Sequence, residues 1–408
     1  MNKRKVLYIS YDGMTDPLGQ SQVIPYLQGI AREGYQITIL SCEKKAGLKK
    51  RKSLIASLLS QSNIAWETVN YSKRPPVFST IFDVFRLKRK ALKIFKKEQI
   101  EVVHCRSYLP ALIGLILKTR FGAKFVFDMR GFWADERVDG NLWNLKNPIF
   151  SSIYKYFKKK EREFLENADS IISLTTNGKC EIQTWKDDYK KLPIVVIPCC
   201  ADTDLFERRN VNTSAQKKAK DLLDISDDDF ILTYLGSIGT WYMLEEMLDF
   251  FEELSREVKN AKFLFVSPSD SHRVIQEGFQ KRQLGSETFI ITESSRSDVP
   301  LYLSLSNYSI FFIMPSYSKK SSSPTKQGEI MAMGIPVICN SGVGDTSAIV
   351  EKYDSGFLIE KFTREHYNTL IEQMQKKDWN PDDLRDGAID YFALDKGVEK
   401  YIQIYNSL

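Results

Sequence analysis

The residues with the clearest chemical potential in this sequence are Lys326 and Glu329, a cation and a carboxylate behind the polar run 316–325. Ser321, Ser322, Ser323 and Thr325 lie in that run. A loop of this kind, leading into a helix, brings backbone N–H groups and a helix N-terminus to one point, which attracts phosphate. Lys326 adds a cation, and Glu329, one turn in, can accept hydrogen bonds from a sugar diol. The pattern is that of a nucleotide-sugar clamp. The elements that must hold it are in the same stretch, 311–345: an apolar strand over 309–314, a helix over 327–333 stopped by Gly334 and Pro336, and a strand over 336–339 entering a Gly-rich turn.

A second concentration of charge follows the strand-like run 124–127: Asp128 and Arg130, with Trp133, Asp135, Glu136 and Arg137 close behind. Asp128 can orient a hydroxyl there, and Arg130 can hold phosphate or an anionic acceptor. The alternative is a structural ion pair, Asp128–Arg130 or Asp135–Arg137. His104 ends its own strand and reads as a buried, hydrogen-bonded group. Trp241 and Tyr242 either stack on a base or sugar or pack in the core. Asp202 and Asp204 lie in a connecting segment and are not expected to hold a metal.

Along the chain, apolar runs of strand length alternate with segments of helical spacing. Strands are expected over 5–11, 36–41, 100–104, 124–127, 170–174 and 194–198, with helices over 22–33, 111–120 and 149–167. A polar passage, 207–229, reads as a connector or surface segment. The same grammar resumes with strands over 230–235, 261–266, 289–292 and 308–314 and a helix over 243–257. The fold class is therefore α/β, with two Rossmann-like doubly wound domains facing across a cleft: 1–198, 199–380, and a C-terminal helix over 381–408 crossing back to the first domain. Ligands of such sheets bind at strand carboxyl ends, so the loops 11–22, 104–110, 128–139, 236–242, 267–270 and 316–328 are the ones to inspect.

The length of 408 residues suits two cores rather than one. No run approaches ~18 uninterrupted apolar residues. The basic start MNKRK and its short apolar run end before Asp12, too early for a signal peptide. The six Cys are scattered without a C-x-x-C pair, as expected for reduced thiols in a cytoplasmic protein. Net charge is +6, concentrated in 44–52, 86–97 and 155–162. These runs are either solvated helix faces or contacts to an anionic surface. Without a helix-turn-helix, zinc-finger or RNP pattern, lipid headgroups fit better than nucleic acid. In the second run Phe82, Phe85, Leu87, Leu92 and Phe95 are interleaved with Lys and Arg, which suits a helix lying on a membrane or packed on a sheet.

Several segments together resemble the retaining, nucleotide-sugar-dependent glycosyltransferases of family 4, with the GT-B fold. They are DPLGQSQVIPYL after the first strand, VIPCCADTDLF, YLGSIG, EIMAMGIPVI and the closing KYIQIYNSL. The resemblance covers nearly the whole chain. It implies sugar transfer from a nucleoside diphosphate donor, a UDP-sugar foremost, to an acceptor hydroxyl, with retention and without a metal or other cofactor. The acceptor is a glycan or lipid-linked glycan of cell-surface polysaccharide or lipopolysaccharide synthesis, at the inner face of the membrane. Lys326, Asp128 and Arg130 are the catalytic candidates. The donor is expected on Glu329, Thr325, Ser321, Ser322 and Ser323, on the glycine turn Gly236, Ser237 and Gly239, and on Gly19 and Gln20 of the first turn. Glu329 matches the second Glu of the family's Glu-x7-Glu pair, whereas Ser321 stands at the first. Ser237 and Met243 stand where relatives carry Arg and Lys, and Arg106 replaces a family His. The alternatives are a non-hydrolysing nucleotide-sugar epimerase, disfavoured by only three His, and a weakened sugar-nucleotide binding module.

Overall fold

The computed structural model describes residues 4–75 and 77–408; residues 1–3, which open the basic start, and Pro76 lie outside it. The described chain forms two compact units. One holds the residues up to Pro198 together with Leu394–Leu408, the other Cys199–Ala393.

The first unit is built on seven strands: β1 (Lys5–Ser10), β2 (Gln36–Glu43), β3 (Ala65–Asn70), β4 (Val102–Arg106), β5 (Lys124–Asp128), β6 (Ser170–Ser173) and β7 (Ile194–Val196). Their order is β3-β2-β1-β4-β5-β6-β7, with every pair parallel. Five of six β1 residues are buried, so the strand reads as a continuous apolar run rather than an alternating one. The order reverses between β1 and β4, and the register sets Ser10 beside Arg106 and Arg106 beside Asp128. The carboxyl ends of β1, β4 and β5 are thus level at the switch point, where such sheets bind ligands. Helices Phe78–Glu98 and Pro148–Asn167 pack on either side of Tyr108–Phe121.

The second unit has β8 (Phe230–Leu235), β9 (Ala261–Val266), β10 (Phe289–Thr292), β11 (Tyr308–Phe311), β12 (Val337–Asn340) and β13 (Gly356–Ile359), in the order β10-β9-β8-β11-β12-β13. Its switch point lies between β8 and β11, which lead into the expected loops at 236–242 and 316–328. Helix Leu244–Glu257 buries Leu244, Met247, Leu248, Phe251 and Leu254, a helical stripe against the aromatic core of Phe263, Phe265 and Phe279.

Three expectations change. The helix expected over 22–33 is two, Pro17–Gln22 and Ile24–Arg32, broken at Val23. Pro25 has no N–H to give to the Ser21 carbonyl, so a continuous helix would lose that bond. The polar passage 207–229 belongs to the second unit and holds helix Thr213–Leu222, started by Asn212, whose side chain accepts from the Ala215 amide at 2.9 Å. The 381–408 stretch is two helices, Pro381–Phe392 in the second unit and Leu394–Ser407 in the first. Between them Ala393 turns extended and forms a bridge with Ala201. All six cysteines are free, and Cys180 alone is exposed.

Helix Thr325–Ala332, the carrier of Lys326 and Glu329, rests on Pro381–Phe392 through Gly328. A Cβ at Gly328 would lie 2.7 Å from the Phe392 ring. Gly328→Ala is therefore expected to lower the melting temperature, although Ala is worth about 1 kcal/mol more than Gly inside a helix. Phe392→Leu should recover part of the loss. Thermal unfolding of both single variants and the double variant reads this; a stability gain from Gly328→Ala alone would show that the ring yields.

Candidate functional site

In the second unit the glycine turn after β8 is sewn to the segment after β11. Met243 N–H donates to the Phe312 carbonyl at 3.0 Å, and Met314 N–H to the Trp241 carbonyl at 2.8 Å. Met243 thus ties the turn through its backbone. Gly236 has φ +117°, in the region that favours glycine, and Gly239 has open space where a side chain would be. Ser237 is exposed, and its carbonyl accepts from Tyr234 Oη at 2.9 Å.

Lys326 meets this turn. Its Nζ lies 3.3 Å from where a Gly236 Cβ would stand. The side chain is 8% exposed and Nζ has no hydrogen-bond partner. Instead Nζ sits over two ring faces, 3.8 Å from the Tyr242 centroid and 4.2 Å from that of Tyr234. Burial lowers its pKa to about 7, against a partial upward pull from Glu329. Tyr242 therefore packs against the cation. Trp241 does the same for Lys319, whose Nζ is 3.7 Å from the indole centroid.

Helix Thr325–Ala332 follows Pro324 and has no side-chain cap; Gln327 N–H donates to the Pro324 carbonyl at 3.1 Å, which leaves the Thr325 and Lys326 amides to face a ligand. Glu329 is buried, which raises its pKa, while Arg296 opposes the shift with an Nη1–Oε1 bond of 2.8 Å. Arg296 was not foreseen; it lies in the polar 293–297 segment after β10, where nothing local marks it as Glu329's partner. The serines divide. Ser321 is buried and donates to the Ser318 carbonyl at 2.9 Å, Ser323 Oγ accepts from the Cys199 amide at 3.1 Å, and Ser322 and Thr325 are half-buried. Asp202 also has a structural bond, Oδ1 accepting from the Leu205 amide at 3.0 Å. Among the described residues no three His, Cys, Asp or Glu side chains are grouped to hold a metal ion.

In the first unit the turn after β1 is organised by Glu43, fully buried at the end of β2. It accepts from Met14 N–H, Ser41 Oγ and Thr15 Oγ1 at 2.6 Å each, and from Thr15 N–H at 3.2 Å. A Cβ at Gly19 would lie 2.3 Å from the Gly13 carbonyl oxygen, so Gly19 lets helix Pro17–Gln22 sit directly on this turn. Gln20 donates to the Thr15 carbonyl at 3.1 Å and shapes the same loop.

The Asp128 corner is a buried charge cluster. Asp128 is fully buried, with His104 Nε2 at 3.6 Å and Arg106 Nη1 and Arg130 Nη1 each at 3.9 Å. Burial alone would raise the Asp128 pKa, but Arg130, His104 and Arg106 outweigh it and hold the group ionised. Burial keeps His104 neutral, and its Nδ1 lies 2.7 Å from Tyr405 Oη of helix Leu394–Ser407. Arg130 stands at φ +56° and Gly131 at φ +112°, two consecutive left-handed positions that turn the chain sharply after β5. Of the two structural pairs weighed from sequence, Asp128–Arg130 exists at this longer distance. Asp135 instead binds Lys158 Nζ at 2.9 Å and Tyr154 Oη at 2.8 Å, while Arg137 lies over Trp133. Arg106 is buried at 3% exposure with Nη1 lacking a hydrogen-bond partner, which adds a second arginine to the Asp128–Arg130 corner.

Two family models match the chain: Glycosyltransferase Family 4 over residues 22–205, and Glycosyl transferases group 1 over residues 215–390. Among solved structures the chain is similar to a glycosyltransferase from Rickettsia africae, at 16% identity over 100% of this chain and 99% of that one, TM-score 0.74. It is also similar to Anabaena Alr3699/HepE in complex with UDP, at 14% identity over 99% and 100%, TM-score 0.72. A sucrose-phosphate synthase from Thermosynechococcus elongatus aligns at 15% identity over 99% of both chains, TM-score 0.71. No curated protein matches in sequence.

An unpaired Lys with a pKa of about 7 in the fold and 10.5 ordinarily binds fewer protons folded than unfolded. Its cost to the fold is therefore complete below about pH 7 and fades as pH rises toward the ordinary value. Lys326→Met is expected to raise the melting temperature of the ligand-free protein at about pH 6, with the gain shrinking by about pH 9. Thermal scans at the two pH values read this; no gain at the acid end would mean that the ammonium is already compensated.

Proposed function

The chain belongs to the glycosyltransferases of family-4 type with the GT-B fold, and on that premise we propose that it transfers a sugar with retention from a UDP-sugar to a hydroxyl of a glycan or lipid-linked glycan, without a metal ion. The observation that carries the donor half is the buried Lys326 ammonium, which has no hydrogen-bond partner beside an uncapped helix N-terminus. A diphosphate supplies the charge that this position lacks. Glu329 takes the ribose diol, with Arg296 holding its other side. The similar Anabaena protein binds UDP, which supports uridine as the base.

In the proposed reaction the bond from the anomeric carbon to the β-phosphate oxygen breaks, and the bond to the acceptor oxygen forms on the same face. The acceptor proton passes to the departing phosphate oxygen, so no protein nucleophile is required. The Lys326 ammonium and the backbone amides of Thr325 and Lys326 at the helix N-terminus stabilise the charge that grows on that phosphate. Arg130 and Arg106 of the first unit bind an anionic part of the acceptor. Asp128, buried between them, acts as a positioning residue. The acceptor class belongs to cell-surface polysaccharide or lipopolysaccharide synthesis on the cytoplasmic side.

Glu329→Ala is expected to weaken UDP binding about 10- to 100-fold, since a buried charged acceptor is worth roughly 1.5–3 kcal/mol. Lys326→Ala should lower kcat more than it weakens UDP binding. Titration calorimetry and initial rates read both; unchanged UDP affinity in Glu329→Ala would remove the ribose assignment.

Incubation with UDP-, GDP- and TDP-sugars in the presence of a chelator tests the reaction itself. Release of UDP with a free or transferred sugar of unchanged anomeric configuration is expected. An isomerised sugar would instead indicate an epimerase, the activity named for a similar Listeria monocytogenes structure with a TM-score of 0.64. Binding without turnover would indicate a binding module, consistent with Ser321, Ser237 and Met243 in place of charged residues.

A further inference from the structure

Helix Phe78–Glu98 is amphipathic in the wrong sense over its first half. The residues it buries there are Ser79 and Asp83, and only further along does the buried stripe become apolar, with Leu87, Ala91 and Ile94. The residues it turns to solvent are Phe78, Ile81, Phe82 and Phe85, each more than half exposed, with Phe78 at 72%. Their spacing is i, i+3, i+4, i+7, a single outward stripe. Rotation cannot hide it, because Asp83 is pinned by Tyr11 Oη at 3.1 Å, by the Ser72 amide at 2.8 Å and by Arg86.

The start of helix Pro148–Asn167 repeats the feature. Ile149 is 64% exposed, and Leu142 and Leu145 just before it are also exposed. Both helices return from the carboxyl end of a parallel sheet, Phe78–Glu98 from β3 to β4 and Pro148–Asn167 from β5 to β6, and both pack on Tyr108–Phe121. Their N-terminal ends therefore lie in one layer at one pole of the unit, the pole of the Asp128–Arg130 corner. Behind these apolar tips Lys88, Arg89 and Lys93 on one helix, and Lys155 and Lys159 on the other, have no ion-pair partner among the described residues.

We propose that this face of the first unit is a docking surface for an anionic phospholipid bilayer. Single-sign charge behind a convex apolar stripe is the complement of anionic headgroups over acyl chains. A second copy of the chain is disfavoured, since a two-fold contact would set these lysines and arginines against themselves. The docking stands independently of sugar transfer. The corollary that the acceptor hydroxyl is met at the lipid surface rests on the function proposed above.

Flotation of the full chain with vesicles tests it, using phosphatidylcholine alone and phosphatidylcholine with about one third phosphatidylglycerol. Recovery with the anionic vesicles only, reduced by salt, is expected. Phe82→Ser with Phe85→Ser, and separately Lys88→Glu with Arg89→Glu, should each lower the bound fraction about tenfold. Circular dichroism and melting temperature should not change, because these side chains are largely at the surface. Absence of flotation, equal recovery with neutral vesicles, or binding that survives both double substitutions overturns the proposal. So does a wild-type dimer in sedimentation that Phe82→Ser with Phe85→Ser disperses. A failure to bind UDP would overturn the transferase reading while leaving flotation unaffected.

Discussion

An ammonium group removed from water and given only aromatic faces sets the terms for the glycine turn of the second unit. Tyr234 and Tyr242 lend Lys326 the negative faces of their rings, which lessens the cost of burial without cancelling it, as the lowered pKa shows. The group nearest its open side is Gly236, which offers no side chain. Helix Thr325–Ala332 begins beside it without a cap, and Arg296 holds Glu329 in place one turn on. The unpartnered Lys326 Nζ and the uncapped helix start leave positive potential unanswered beside this turn. Ser237 and Met243 bring no charge to the turn, so the ammonium groups beside it are those of Lys326, on Tyr234 and Tyr242, and Lys319, on Trp241.

The first unit is arranged on the opposite plan. There the charges answer one another: Asp128 stands among His104, Arg106 and Arg130 at distances slightly longer than direct hydrogen bonds, and Glu43 is saturated by the turn it organises. A carboxylate with four donors fixes a loop. A carboxylate with more loosely spaced cations does not saturate Arg106, whose Nη1 has no hydrogen-bond partner.

How much of this could be read from the sequence follows from how local each signal is. The strand–helix alternation and the loops at both switch points were legible, because apolar runs and Gly or Pro stops are local features. Lys326 and Glu329 were legible for the same reason. Arg296 was not, because it lies 33 positions from the carboxylate it binds and in a different loop. Glu43 reads as an ordinary polar strand end until the turn after β1 is seen folded around it. The helix Thr213–Leu222 buries only Ala219, too little to show as a period in the passage 207–229. The division of 381–408 depends on Ala393 bridging to Ala201, a pairing across nearly half the chain.

Helix Leu394–Ser407 gives the first unit the buried rings of Tyr401 and Tyr405, and Tyr405 Oη hydrogen-bonds Nδ1 of His104 beneath the Asp128 corner. The strands they cover are made before residue 200, whereas these rings leave the ribosome only after the whole of Cys199–Ala393. Synthesis at about 5–20 residues per second places that entire second unit between the two parts of the first. The unit begun first is therefore finished last: its sheet must wait, with Tyr8 and His104 uncovered, while the second unit emerges with all of its own sequence in hand.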